Sequence, residues 1–300
     1  MPLVNTKNMF LDAYKNNYAV GAFNVDSIAM IQAVLLAAEK LKSPVIISLS
    51  KGSREFMHPG NIKEQILCVS KDITIPFAIH LDHGKSVKLC KDCIDEGFTS
   101  VMIDASAYDF EENIRQTKEV VEYAHKHNVT VEGELAILTT KEDYPALIEE
   151  FVKRTNVDSL AISIGTGHGT TKFKEGEIPH LDFDILEEVS KRLPNFPFVL
   201  HGSSSILKKD IDIFNNYGGN IVNPIGIPED LLRKAASMAI CKINIGTDFR
   251  VAYVGALRKS LSIKNDRYEP RNFLLPAKEA AQQLVEYKLE NVFNSAFKVK

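Results

Sequence analysis

The chain contains no tryptophan and only 4 cysteines in 300 residues. Thiols so few and so scattered (Cys68, Cys90, Cys93, Cys241) exclude a disulfide framework and point to a reducing, cytoplasmic location. Positive charge is not in excess: 36 Lys plus Arg face 39 Asp plus Glu, a formal net charge of −3. The basic stripe of a nucleic-acid-binding protein is therefore missing. No apolar run approaches the roughly 20 residues of a membrane helix. The start, Met1-Pro2-Leu3-Val4-Asn5, lacks the charged region and apolar stretch of a secretory signal. Neither nucleic acid nor membrane is expected as a partner. A G-x-G-x-x-G fingerprint is absent as well. The first strand-like segment ends Gly21-Ala22-Phe23-Asn24-Val25, which argues against a doubly wound dinucleotide-binding sheet.

What is present has the balance of an ordinary globular protein, 45% apolar and 25% charged, so a large core is affordable and disorder is excluded. Short β-branched or aromatic runs occur at 18–24, 44–50, 76–81, 99–104, 129–135, 158–164, 196–201 and 241–245. Amphipathic stretches at 27–41, 61–71, 85–96, 110–127, 146–154 and 183–192 separate the first seven. Two more (208–216, 228–238) precede the last run and two (248–262, 273–292) follow it. Near-continuous apolar strands such as Val45-Ile46-Ile47 suit a parallel sheet buried on both faces. Eight such units in about 250 residues predict one α/β domain over 1–300, a (β/α)8 TIM barrel. Cys90-Lys91-Asp92-Cys93 has zinc-site spacing, but it lies on a predicted helix with no answering pair and reads as two buried helix cysteines.

In such a barrel the active site forms at the carboxyl ends of the strands. Here those ends carry Asn24, Ser50, Asp82-His83, Asp104, Glu134, the 165–168 segment, His201 and Asn244. Three of the eight histidines precede a glycine, His83, His168 and His201, and each comes from a different strand end. Three imidazoles with an open fourth position is the arrangement of catalytic zinc. Asp82 adjoins His83 and suits general acid/base work. Asp104 and Glu134 suit an alternative metal position or the orientation of histidines. Glu132 shares the strand parity of Glu134 and faces the barrel interior. Glu142, in Thr139-Thr140-Lys141-Glu142-Asp143, reads as loop surface, and His180 as a plausible decoy. Small residues in His201-Gly202-Ser203-Ser204-Ser205 and Asn244-Ile245-Gly246-Thr247-Asp248 would offer backbone N–H groups to a phosphate, with Lys172 and Arg250 adding charge.

Six ordered motifs carry a resemblance. His80-Leu81-Asp82-His83-Gly84, Ser100-Val101-Met102-Ile103-Asp104-Ala105-Ser106 and Val131-Glu132-Gly133-Glu134-Leu135 are similar to those of the metal-dependent (class II) fructose-bisphosphate aldolases. So are Gly165-Thr166-Gly167-His168-Gly169, Leu200-His201-Gly202-Ser203-Ser204 and Lys242-Ile243-Asn244. The resemblance implies a lyase of glycolysis and gluconeogenesis, cytoplasmic and a homodimer or homotetramer, acting on a phosphorylated ketose. It implies His83, His168 and His201 as ligands of catalytic Zn²⁺, with Asp104 and Glu134 serving a second position for a divalent or monovalent cation. Asp82 would exchange the proton of the C4 hydroxyl, and Glu142, eight residues past Glu134, would be the loop base at C3. Gly169, Lys172, Gly202, Ser204, Asn244 and Thr247 would hold the dihydroxyacetone phosphate half, Ser50 and Arg250 the distal phosphate, and Asn24 the sugar chain.

The chain departs from the family pattern in places. Ala136 and Thr139-Thr140 stand where the family has glycines, the loop beyond Asp143 is shorter, and Thr171 replaces a tyrosine. A stiffer loop predicts slow turnover. Gly246 is of the small type found in tagatose-bisphosphate relatives, whereas the irregular 217–228 connection is of the fructose type, and fructose 1,6-bisphosphate is the expected substrate. The rival readings are a tagatose-bisphosphate aldolase, a Schiff-base aldolase using Lys242, an unrelated metal-dependent hydrolase and a non-catalytic phosphosugar- or metal-binding barrel.

Overall fold

The computed structural model describes residues 2–136, 140, 142–165, 179–263 and 266–299. The chain begins with α1 (Thr6–Lys15), β1 (Val20–Asn24), α2 (Ile28–Lys40), β2 (Val45–Ser50), α3 (Lys51–Phe56) and α4 (Ile62–Val69). Next come β3 (Phe77–Gly84), α5 (Val87–Asp95), β4 (Ser100–Ile103), α6 (Phe110–Lys126), β5 (Thr130–Leu135) and α7 (Tyr144–Thr155). Then follow β6 (Ser159–Ile162), α8 (Phe183–Arg192), β7 (Phe198–Leu200), α9 (Lys208–Asn216) and α10 (Glu229–Ala236). Finally come β8 (Ile240–Ile245), α11 (Thr247–Ile263) and α12 (Arg271–Asn291). The strands pair in sequence order, all parallel, and β8 closes onto β1, giving the expected (β/α)8 barrel.

Period-two alternation sorts the strand residues. Val45, Ile47 and Leu49 of β2 and Phe77, Ile79 and Leu81 of β3 join the apolar layer beneath the helices. Ile46 and Ala78 belong to a separate interior cluster. Ser48, Ser50, His80 and Asp82 share the interior parity, so each strand turns from apolar to polar as it rises. The helices start where the sequence supplies caps: Ser27, Ser86 and Asp109 accept from the backbone N–H of Met30, Leu89 and Glu112.

Two elements were not read from the sequence. Helix α1 packs Met9, Phe10 and Ala13 against Tyr18, Val20, Ala22, Ile46, Ala78 and Cys241, and so plugs the end of the barrel opposite the strand tips. Helix α3 begins directly after β2, with Ser50 as its cap. Strand bounds also differ. β3 runs on to Gly84, while β4 and β7 stop at Ile103 and Leu200, leaving Asp104 and His201 just beyond their strands. Cys90 and Cys93 are buried on α5 with free thiols, as expected, and burial pushes the Cys93 thiol up to about 12.

Below the barrel, Glu39 at the end of α2 ties down the approach to β3. Its carboxylate accepts from the backbone N–H groups of Thr74 (2.6 Å) and Ile75 (3.1 Å) and from the Thr74 hydroxyl, and it pairs with Lys42. Burial opposes its ionisation, but the Lys42 and Thr74 donors and the Ile75 N–H hold its pKa at about 2. A carboxyl more acidic folded than unfolded contributes stability above its unfolded pKa, near 4.5, and loses it as pH falls toward 2. Between pH 6 and pH 3, urea unfolding should show wild type losing about 1–2 kcal/mol more than Glu39→Gln. Equal losses in the two proteins would remove Glu39 from the acid response.

Candidate active site and metal centre

Consecutive strand residues point to opposite faces, so Asp82 and His83 reach one cavity only because the backbone breaks that rule. Between Leu81 and Gly84 the ladder of β3 with β4 shifts register, and His83 adopts a left-handed φ of 50°. Gly84 makes this possible: a Cβ there would stand 2.6 Å from the Met102 carbonyl oxygen and 2.8 Å from Cys90 Sγ.

His83 sits among carboxylates. Its Nδ1 donates to Asp104 Oδ2 at 2.8 Å and is 3.4 Å from Glu134 Oε2, while Nε2 is 4.0 Å from Asp82 Oδ1. Burial works against its charged form, but Asp104, Glu134 and Asp82 raise its pKa to about 10. A field that favours a proton on an imidazole also favours a divalent ion in its place. Asp104 is buried, yet His83, Lys85 and Ser106 hold its carboxyl well below the usual range.

His201 follows β7 and meets His83 edge-on, with ring centroids 4.6 Å apart. Its Nδ1 is 4.0 Å from Asp82 Oδ1, and its Nε2 donates to Glu132 Oε1 at 2.7 Å. Asp82 is 7% exposed. Asn24 donates to its Oδ2 at 2.7 Å and Asn244 to its Oδ1 at 2.9 Å. Burial resists its ionisation, but the imidazoles of His201 and His83, the Lys242 ammonium and Asn24 hold the carboxyl below its ordinary value.

Among the described residues, two donor sets have ligand atoms within 4.8 Å of one another: Asp82, His83 and His201, and His83, Asp104 and Glu134. They share His83, and in the second the buried Glu134 Oε2 receives no hydrogen bond from any described residue, with the His83 imidazole 3.4 Å away. Imidazole nitrogens with carboxylate oxygens suit a divalent first-row metal such as zinc. The residues present therefore fit a metal ion.

Around this centre, Asn24, Ser50, Asp82, His83, His201, Gly202, Ser204, Asn244, Thr247 and Arg250 line one cavity of about 220 Å³, joined by Ser203 and Gly246. Thr247 opens the 17-residue α11, and Arg250 stands in its first turn, so positive potential meets the cavity there. Asp104 and Glu134 pack against His83 behind that lining. Glu142 is exposed and faces a different cavity, with Pro145, Asp182, Asp184, Ile185 and Glu188. His168, Gly169 and Lys172 lie outside the described residues.

Some supporting groups carried no readable signal. Lys85 reaches back to pair with Asp104. The fully buried Lys288 of α12 donates to the Ser205 carbonyl at 2.7 Å and pairs with Asp248 and Glu229, both at 2.9 Å. Asp248 in turn accepts from Ser205 N–H at 3.0 Å. The two peptides that flank the Ser205 Cα are thus gripped at once, one by Asp248 and the other by Lys288, residues that no local motif connects.

The family model described as fructose-bisphosphate aldolase class-II matches residues 4–298 of this chain. The fructose-bisphosphate aldolase of Treponema pallidum is 42% identical, with 98% of this chain and 97% of its own length covered. That of Giardia intestinalis is 40% identical, with 99% and 94% covered. Among solved structures, the YdjI aldolase of Escherichia coli superposes with a TM-score of 0.83 at 32% identity, covering 99% of this chain and 100% of that one.

Removing Lys288 would strand the buried Asp248 carboxylate without its cation. Lys288→Met should lower the free energy of urea unfolding by about 3–5 kcal/mol, the cost of breaking a buried pair from one side. A change within 1 kcal/mol would mean that water or another cation replaces it.

Proposed function

The chain belongs to the class II fructose-bisphosphate aldolase family, and from that premise we propose that it reversibly cleaves fructose 1,6-bisphosphate to dihydroxyacetone phosphate and glyceraldehyde 3-phosphate with zinc at its barrel mouth. The observation carrying this reading is the convergence of His83, His201 and Asp82 in a cavity that also contains the start of α11. His83 and His201 hold the ion, with His168 as third ligand. Asp104 and Glu134 offer the second position. When bound, zinc withdraws electrons from the ketose carbonyl and so stabilises the negative charge that develops as the carbon–carbon bond breaks.

The chain's own groups do the rest. In cleavage, Asp82 takes the proton of the C4 hydroxyl as the C3–C4 bond opens, and Asn24 and Asn244 fix its carboxylate for that task. Glu142 delivers a proton to C3 of the dihydroxyacetone phosphate fragment. Because it faces another cavity, its segment must move to bring it there, which makes loop motion the slow event. Gly202, Ser204, Asn244 and Thr247, with Gly169 and Lys172, bind the near phosphate. Ser50 and Arg250 bind the distal one, and Asn24 also meets the sugar chain. Condensation runs the same proton transfers backward. The four free thiols accord with a reducing cytoplasm, and a homodimer or homotetramer is the assembly proposed.

One observation favours tagatose 1,6-bisphosphate instead: Gly246 lines the cavity without a side chain between Asn24 and Arg250. Coupled assays on zinc-loaded protein decide this. We expect kcat/KM for the fructose ester to exceed that for the tagatose ester by about 10-fold or more, a difference of roughly 1.4 kcal/mol. The reverse ranking would establish the tagatose reading.

Chelation should cut cleavage by at least about 100-fold, with zinc restoring it. Undiminished activity of the chelated protein, or a borohydride-trapped adduct on Lys242, would sink the metal mechanism. Glu142→Ala should slow exchange of the C3 proton of dihydroxyacetone phosphate by about 10²–10⁴-fold. Full exchange in that variant would take the role away from Glu142.

A further inference from the structure

Beneath the metal centre, polar side chains from four strands cross the barrel interior. Lys242 of β8 is wholly buried, and its Nζ donates to Glu132 Oε2 of β5 at 2.7 Å. The same ammonium is 3.3 Å from His80 Nε2 of β3, whose Nδ1 lies 2.8 Å from Ser100 Oγ of β4. The second Glu132 oxygen, Oε1, is 2.7 Å from His201 Nε2. Neither β5 and β8, nor β3 and β8, nor β5 and β7 are neighbours in the sheet, so these contacts bridge the barrel directly.

A buried ion pair is a poor device for stability alone, since apolar residues of like volume serve as well or better. The aldol chemistry proposed above uses neither charge. Proton counting shows what the pair does. An ammonium has donors and no acceptor, so the His80 nitrogen facing Lys242 is bare, and His80 carries its hydrogen on Nδ1, toward Ser100. A carboxylate accepts and cannot donate, so the hydrogen between Glu132 and His201 belongs to His201 Nε2. In the neutral imidazole the lone pair is then on Nδ1, the nitrogen on the Asp82 side.

We propose that Glu132 and Lys242 are positioning residues for the metal. Lys242 holds Glu132 as a carboxylate, Glu132 takes the Nε2 hydrogen of His201, and Nδ1 of His201 is thereby presented as the ligand atom in a fixed ring orientation. This gives the strand-eight lysine a task in which its nitrogen donates to Glu132 and His80. It rests on the zinc reading of the centre above.

The test uses the full-length chain as wild type, Glu132→Gln, and the double variant Glu132→Gln/Lys242→Met. The double variant removes both charges while conserving volume, and so retains the fold even where the single change leaves an ammonium unpaired. Zinc affinity is measured by chelator competition, cobalt-loaded protein by its visible spectrum, and inorganic phosphate binding by calorimetry. The relay predicts zinc affinity about 10–100-fold weaker in both variants. It also predicts an altered cobalt spectrum in both and unchanged phosphate binding in the double variant. Wild-type zinc affinity and cobalt spectrum in both variants would overturn the relay while leaving the metal centre intact. Parallel loss of zinc and phosphate binding in the double variant would overturn it in favour of general support of the barrel. A wild-type chain that takes up no zinc would remove the metal reading itself, and the relay with it.

Discussion

A carboxylate cannot stand alone in a dry interior. Taking it out of water costs several kcal/mol, and only a partner with good geometry offsets that cost. Glu132 and Lys242, both buried to within 1% exposure, meet this requirement across the barrel, and the arrangement above them is built on it. With the lysine neutralising the carboxylate, one Glu132 oxygen is free to hold His201, and His201 can then stand edge-on to His83 within reach of Asp82. The apolar filling of the lower barrel is what makes the pairing obligatory.

The mouth above shows the opposite balance. Asp82, Asp104 and Glu134 crowd around His83, and their summed field raises its pKa even though burial opposes it. Amides and hydroxyls temper that charge. Asn24 and Asn244 donate to Asp82, Ser106 and Lys85 engage Asp104, and Glu134 Oε2 faces His83 at 3.4 Å without a hydrogen bond from any described residue. Negative potential is therefore concentrated at one point, while the start of α11 and Arg250 bring positive potential to the same cavity. A site of this kind suits a cation and a phosphate ester together, as the aldolase family requires.

Support for the anion side comes from afar. Lys288 lies near the end of the chain, but its ammonium, joined to Asp248 and Glu229, holds the Ser205 peptide in place. The irregular 217–228 connection contributes too: Ile227 N–H donates to the Ser204 carbonyl at 3.0 Å, and Gly226 lies so close that a Cβ would be 2.5 Å from that oxygen. The loop after β7 is thus braced by α11, α12 and a long connection at once, while Glu142 is exposed and lines a different cavity.

Contiguous residues made much of this legible. Eight strands in order follow from short apolar runs between amphipathic stretches, and the polar strand tips follow from single residues such as Asn24, Asp104 and His201. The buried Cys90–Cys93 pair and the interior parity of Glu132 were equally local. Helix α1 escaped because Met9, Phe10 and Ala13 make too narrow a stripe, and it acquires meaning only as a plug against Ile46, Ala78 and Cys241. The turn that brings Asp82 and His83 to one cavity depends on a register shift between two strands. The partner of His201 lies 69 residues away, and that of Glu132 110 residues away. Such pairings arise when a sheet closes on itself and shuts out water, so which nitrogen His201 presents, and which lysine neutralises the charge below it, was decided by tertiary structure alone.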